Sequence, residues 1–237
     1  MVCPNIVMIL LDDLGWMDLS CQGSKFYETP NIDQLFQRGM SFDNAYAACP
    51  VCSPSRASIL SGKYPARLHL TDWIDHGNYH PCKGKLIDAP YVKGLSLKEH
   101  SLAASLKDAG YQTWHLGKWH LGKEETYPDK HGFDVNIGGC FWGHPAHGYF
   151  SPYQMENLPD GPEGEYLTER LGNEAVKLIR NRDKSKPFYL NYWHYAVHAP
   201  MQAPKELVAY FEEKSRKMGL DQIDPFEIGE HFPIEAK

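Results

Sequence analysis

The sequence predicts an α/β layered fold, with a mostly parallel sheet flanked by helices. Two observations carry this. Apolar runs with strand character alternate along the chain with stretches of helical periodicity, the pattern of strand–helix–strand units. The first apolar run, PNIVMILLDD, is continuous in Ile, Val, Met and Leu, as a strand covered on both faces must be. No internal repeat and no low-complexity linker interrupts the alternation.

The elements follow in order. The first strand closes on Asp12 and Asp13. In TPNIDQLFQRG, Thr29 caps a helix, Pro30 takes its first position and Gly39 stops it. SFDNAYA, residues 41–47, alternates as a strand does. A short helix is expected from Pro54 to Leu60, with Ser53 as its cap. Residues 64–94 carry many Gly, Pro and His and read as a long loop. In SLKEHSLAASLKDAG, Ser96 and Glu99 form a capping box. Leu97, Leu102, Ala103 and Leu106 make the apolar face, and Gly110 ends the helix. YQTWHLGKWH reads as a strand running into a loop, and residues 128–163 as a further loop centred on FWGHPAHGYFSPY. Glu165 to Arg182 is an amphipathic helix with Leu167, Leu171, Ala175 and Leu178 along one stripe. FYLNYWHYAVHAP is a strand followed by a loop, and Pro204 to Gly219 a last helix. The polar tail from Asp221 to Lys237 gives no clean ending.

A chain of this length can bury one large core. Its 42% hydrophobic and 23% charged residues are ordinary for a globular protein. The net charge of −6, without a basic tract, argues against a nucleic-acid partner. No apolar run reaches the roughly 18 residues of a membrane span, so no membrane partner is expected. IVMILL lacks the basic flank and small-residue cleavage site of a signal peptide. As read, the chain points to the cytoplasm, or to export with a signal removed before this numbering begins. Six cysteines, at 3, 21, 49, 52, 82 and 140, are expected mostly as free thiols. Cys49 and Cys52 form a Cys-x-x-Cys pair, which suggests a redox couple or half a zinc site. No second such pair or Cys/His cluster at zinc spacing accompanies it.

Ligands of open α/β sheets bind beyond the carboxyl ends of the strands. Four reactive groups fall at such places: Asp12 with Asp13, the Cys52 region, Lys118 with His120, and His194 with His198. Two adjacent carboxylates repel each other unless a cation relieves them, and hard oxygens suit calcium or magnesium. An acidic turn ahead of Gly15 is the plainer alternative. Pro54 puts residues 52 and 53 at a helix N-terminus, where free amides and the helix dipole favour an anion and make a thiol acidic. Arg56 adds a planar cation. A buried structural thiol is the plainer reading of Cys52.

Three stretches decide between these. CSPSRASILSG, from Cys52, resembles the signature of the sulfatase family: Cys or Ser-x-Pro-x-Arg, small residues, then Ser/Thr-Gly. GYQTWHLGKWH, Gly110 to His120, resembles the family's second signature, departing at Leu116. PNIVMILLDDLG resembles its first strand and metal-binding acids. The resemblance implies an alkaline phosphatase/sulfatase-like fold and hydrolysis of sulfate monoesters. It implies that Cys52 is converted to Cα-formylglycine by a formylglycine-generating enzyme, with Cys49 a bystander. It further implies calcium, with magnesium as the alternative, on Asp12, Asp13 and residue 52. Arg56 would lie beside residue 52, Lys118 would contact sulfate, and His120 would bond the formylglycine hydroxyl. His198 matches the proton donor to the leaving alcohol better than His194 does. His76, Trp142, His144, His147 and His194 are expected near the substrate, since sugar-sulfate pockets need polar and aromatic walls.

The resemblance covers essentially the whole chain, read as the N-terminal part of a sulfatase catalytic domain over residues 1–237. The C-terminal part and subdomain are then missing, and the fold is apparently truncated. Calcium takes about six to eight oxygens, more than these residues offer. The family's further Asp with Asn or His, and its further Lys, find no match before Lys237. This chain alone is expected to be weakly active or inactive and to bind calcium poorly. A sulfated small molecule or glycan is the expected partner. Two rival readings stay open: a phosphate or phosphonate ester hydrolase of the same superfamily, and a non-catalytic fragment that binds sulfated glycan.

Overall fold

A computed structural model describes residues 3–75, 85–86 and 89–223, together with the backbone of two short paired strands at Phe226–Glu227 and Glu235–Ala236. Two compact units divide the chain, each drawn from two separate stretches. One is Met1–Leu14 with Asp43–Gln202; the other is Gly15–Phe42 with Ala203–Lys237.

The first unit is built on a four-stranded parallel sheet in the order β1-β4-β2-β3. Its strands are β1 (Ile6–Leu10), β2 (Gln112–Gly117), β3 (Val135–Ile137) and β4 (Phe188–Trp193). The parallel α/β class is the one the sequence predicts. β4, the last of the four in the chain, lies between β1 and β2. It pairs with β1 from Ile6↔Tyr189 to Leu10↔Trp193 and with β2 from Gln112↔Phe188 to Gly117↔Trp193. FYLNYW contains no Gly or Pro to break these ladders, and all six residues are buried. Trp114 of β2 stacks on Phe188 with ring centroids 5.0 Å apart.

Helices complete the core. α2 (Cys52–Ser61) contributes Ala57 and Leu60, α4 (Leu102–Asp108) contributes Ala103, and α5 (Leu167–Asn181) contributes Leu167, Leu171 and Ala175. Each fully buried Leu is worth about 2 kcal/mol of apolar burial. A one-turn helix, α3 (Pro65–Leu68), opens the stretch that the sequence reads as loop. Because the strands are parallel, the residues after β1, β2 and β4 emerge at one edge of the sheet. Those residues are Asp12 and Asp13, Lys118 and His120, and His194 and His198.

In the second unit, α1 (Pro30–Arg38) and α6 (Lys205–Met218) are the helices. Lys214 Nζ lies 2.6 Å from both the Phe26 carbonyl and the Glu28 carboxylate, and Tyr210 donates to Glu28 at 2.8 Å. No described helix is long and apolar enough to cross a membrane.

Several expected elements differ. SFDNAYA forms no strand; residues 41–47 are exposed and turn at Asp43 and Asn44. Alternation makes a strand only where another strand completes the ladder. Conversely, Val135–Ile137 pairs with β2 inside the expected 128–163 loop, being too short to show any period. The Ser96–Glu99 capping box does not form. Glu99 binds Lys63 at 2.5 Å instead, and α4 starts at Leu102, capped by Ser101, whose Oγ accepts from the Ala104 N–H at 2.9 Å. Ser53 does not cap α2, which already begins at Cys52. Its Oγ accepts from the Ile74 N–H at 3.0 Å. Thr29 makes no bond to a helix N–H; its hydroxyl accepts from the Ser20 N–H at 2.9 Å and donates to Asp33 at 2.8 Å.

Candidate active site

α2 begins at Cys52, so its thiol sits at a helix N-terminus. Ser55 shapes that end: its hydroxyl lies 2.6 Å from the Cys49 carbonyl and 2.8 Å from the Val51 carbonyl. Cys49 and Cys52 are both free thiols, so the Cys-x-x-Cys pair is not a disulfide. Cys52 Sγ lies 3.2 Å from His120 Nδ1, and Nε2 of the same ring lies 2.7 Å from the Ile74 carbonyl. A carbonyl oxygen only accepts, so Nε2 carries the hydrogen and Nδ1 of the neutral ring offers its lone pair to position 52. His120 reaches this place in the left-handed region, at φ 56°. Gly143 closes over its ring; a Cβ there would meet His120 Cε1 at 2.6 Å.

Asp12 is reached by two cations on one oxygen. Arg56 Nη2 lies 3.0 Å and Lys118 Nζ 3.2 Å from Asp12 Oδ2, with the two cationic side chains 1% and 0% exposed. Arg56 also donates to the Lys118 carbonyl at 2.8 Å and lies 5.0 Å from the centroid of the Trp193 ring. Burial alone would raise Asp12, but Arg56 and Lys118 together hold its carboxyl below the usual value. Burial lowers Lys118 and Arg56 from their usual values, the charge of Arg56 lowers Lys118 further, and the Asp12 carboxylate acts to raise both. Behind position 52 two buried cations meet one carboxylate, while Asp13 stands on the cavity side, so positive charge predominates on the buried side. Such a charge favours an anion at position 52.

A cavity of about 420 Å³ opens beside Cys52, lined among others by Asp13, Trp73, His120, His144 and His198. Asp13 is half exposed and also left-handed, at φ 63°. His198 Nε2 points toward Asp13 Oδ2 at 3.9 Å, and its Nδ1 donates to the Ala199 carbonyl at 3.0 Å. The Tyr149 hydroxyl, 2.8 Å from the carbonyls of both Tyr195 and His198, pins this loop. His144 lies parallel to His198, with centroids 5.7 Å apart. Burial, then the charges of His198 and Lys118, keeps His144 below the usual histidine value.

The expected residues therefore divide. Asp12, Asp13, Cys52, Arg56, Lys118, His120, His144 and His198 cluster in and behind the cavity. Trp142 and His147 pack on each other at 5.6 Å and do not line it, and neither does His194, which packs on Tyr192 at 4.1 Å. His76 lies outside the described residues. Sequence reading missed Trp73, Gly143 and the Ile74 carbonyl. A backbone acceptor leaves no sequence signal; the glycine in FWGHP is the only visible hint.

Two groups implied by the resemblance can be tested against these side chains. For formylglycine the surroundings fit: His120 Nδ1 is a ready acceptor at position 52. Arg56 Nε, moreover, is a buried donor without a hydrogen-bond partner among the described residues. For calcium the fit is incomplete. No group of three or more His, Cys, Asp or Glu side chains among the described residues is arranged to hold a metal ion. The twin acids are of the right hardness, but they supply only part of a shell of about six to eight oxygens.

Comparisons with known proteins agree on one family. A family model described as Sulfatase matches residues 4–222. The chain is 35% identical to N-acetylgalactosamine-6-sulfatase of Homo sapiens, over 93% of this chain and 44% of that protein. It is 32% identical to arylsulfatase J of Mus musculus, over 88% of this chain and 34% of that protein. The chain thus spans less than half the length of these curated relatives. Among solved structures, Ps i-CgsB in complex with k-i-k-neocarrahexaose superposes with a TM-score of 0.70 at 32% identity, over 89% of this chain and 49% of that one. BT4656 in complex with its substrate D-glucosamine-2-N,6-O-disulfate gives 0.66 at 27% identity, over 89% and 38%.

Proposed function

Because this chain belongs to the sulfatase family, we propose that the protein hydrolyses sulfate monoesters carried on sugars, with formylglycine formed from Cys52 as the nucleophilic residue. The observation that carries this is the thiol of Cys52, 3.2 Å from the acceptor nitrogen of His120, at a cavity with two buried cations near it. Sγ marks where the hydroxyls of a hydrated aldehyde would stand. That group supplies two hydroxyls on one carbon, so one can attack sulfur and the other can expel sulfate as the aldehyde returns, a route closed to serine.

The protein's own side chains do the rest. His120, tethered through Nε2 to Ile74, accepts a proton at Nδ1 from position 52. Arg56 and Lys118 offset the negative charge that grows on the sulfuryl oxygens. His198, in its protonated form, delivers a proton from Nε2 to the leaving alcohol. Asp12 and Asp13 offer a divalent cation, calcium or magnesium, two hard oxygens, with the rest of its shell outside the described residues. His144 forms part of the substrate wall, and Trp142 with His147 extends it beyond the cavity. A formylglycine-generating enzyme is the maturation partner this chemistry requires. Sugar sulfates are the proposed substrate class because one relative is named an N-acetylgalactosamine-6-sulfatase and one structural neighbour is solved with D-glucosamine-2-N,6-O-disulfate.

Peptide mass spectrometry on the protein from its source cells tests the reading directly. The peptide carrying residue 52 is expected to lack sulfur and carry an aldehyde. Cys52→Ala is expected to lower nitrophenyl sulfate hydrolysis by roughly three orders of magnitude. Turnover with an unmodified thiol at 52 would sink the mechanism, and faster cleavage of nitrophenyl phosphate would favour the phosphatase reading.

A further inference from the structure

Where β2 meets β4, three polar side chains are joined by hydrogen bonds: His115, Asn191 and Tyr189, each 0% exposed. His115 and Asn191 are register partners. Their hydrogen bonds run in one direction. His115 Nε2 lies 3.1 Å from the Gly117 carbonyl, which only accepts, so Nε2 carries the hydrogen. Nδ1 of the neutral ring then accepts from Asn191 Nδ2 at 3.0 Å. Asn191, so oriented, turns Oδ1 to the Tyr189 hydroxyl, which donates at 2.9 Å. Each group in the chain is satisfied by the next, and the last acceptor is a backbone carbonyl.

That carbonyl belongs to the peptide that launches the catalytic loop. Gly117 ends β2 at φ 89°, so close to β4 that a Cβ would lie 1.9 Å from the Trp193 carbonyl oxygen. It therefore has no side chain with which to anchor itself. On one side the Lys118 N–H donates to Trp193 at 2.9 Å; on the other the His115 ring holds the Gly117 carbonyl. We propose that His115 is a positioning residue: its Nε2–H, oriented through Asn191 and Tyr189, fixes the 117–118 peptide and so aims Lys118 at Asp12. The catalytic value of this rests on the function proposed above, whereas the positioning itself does not.

The surroundings permit one ring orientation. Trp119, Phe133 and Trp193 meet the imidazole edge-on, with centroids 5.1, 5.4 and 5.6 Å away. Gly139 presses on it, since a Cβ there would meet His115 Cδ2 at 2.6 Å. Burial first, then the nearby charge of Arg56, holds the ring neutral, at about 3. A phenylalanine would keep the ring contacts but leave Asn191 Nδ2 and the Gly117 carbonyl without these partners. Packing alone therefore does not call for histidine, and the N–H donor is what phenylalanine would lack.

Nitrogen-15 NMR on the histidine-labelled protein tests the orientation. His115 is expected as the neutral Nε2–H tautomer, unchanged from about pH 8 to about pH 5; an Nδ1–H tautomer would overturn the proposal. Crystal structures of His115→Phe and His115→Gln test the consequence. With Phe, Lys118 Nζ is expected to leave Asp12, and with Gln, whose amide can donate, to stay. In nitrophenyl sulfate turnover, Phe is expected to lower kcat about tenfold with KM changing less than about twofold, and Gln to restore most of it. A Phe variant that keeps Lys118 on Asp12 overturns the proposal whatever its activity. A parent protein that cleaves nitrophenyl phosphate faster than nitrophenyl sulfate overturns the functional reading, and the Lys118–Asp12 contact then decides the positioning. If the Phe variant does not fold, the tautomer of the parent decides.

Discussion

Asp12 Oδ2 is the hinge of the charge arrangement, because both buried cations meet on it. Asp12→Asn leaves Arg56 and Lys118 buried and facing each other, and is expected to cost about 3 kcal/mol in urea unfolding. Lys118→Met, which removes one of the two cations and leaves a matched pair, is expected to cost less. Acid sensitivity follows from one buried histidine and one half-buried histidine. Burial lowers His115 to about 3 and His194 to about 4, against an ordinary histidine value of 6.5. Below pH 6.5 the unfolded chain binds protons that the folded protein refuses. Stability therefore falls as pH drops from about 6.5, by at most about 1.4 kcal/mol per pH unit for each group. Urea unfolding of His115→Phe at pH 7 and pH 5 is expected to show a shallower loss. At this scale the sequence was informative where chemistry sits at strand ends: Asp12, Lys118 and His120 each follow a strand by one to three residues. It was silent on the Ile74 carbonyl, and His115 inside a strand reads as one more core residue.

Elements were legible where the pattern was long and packing agreed with it. α5, α6 and the buried β4 stand within one or two residues of expectation. The misreadings were local signals overruled by neighbours. Glu99 found Lys63, Ser53 found the Ile74 N–H, and SFDNAYA found no strand among the described residues. Two tight joints between elements can be probed directly. Gly143→Ala is expected to drive the His120 ring off position 52, seen as loss of the 3.2 Å approach to residue 52 in a crystal structure, at a cost of about 1–3 kcal/mol in stability. Gly117→Ala must accommodate both a left-handed backbone and a collision with Trp193. It is expected to destabilise by more than about 3 kcal/mol, read from the urea midpoint.

Over the whole molecule, the parallel sheet brings the three strand ends together, so one topological fact assembles most of the site. β1 is the least covered of the four strands. It is apolar on both sides, yet Val7 and Ile9 are 47% and 56% exposed. Replacing both with threonine, which keeps strand propensity, is expected to lower hydrophobic-dye binding and light scattering of the concentrated protein. The sheet order has a further outcome in time rather than in space. The strand that separates β1 from β2 is the last of the four to leave the ribosome. More than a hundred residues separate it from Cys52, on the order of ten seconds of synthesis at roughly 5–20 residues per second. Through that interval β1 and β2 lack the strand that joins them, and the conversion proposed for Cys52 would have its opportunity before the sheet zips shut.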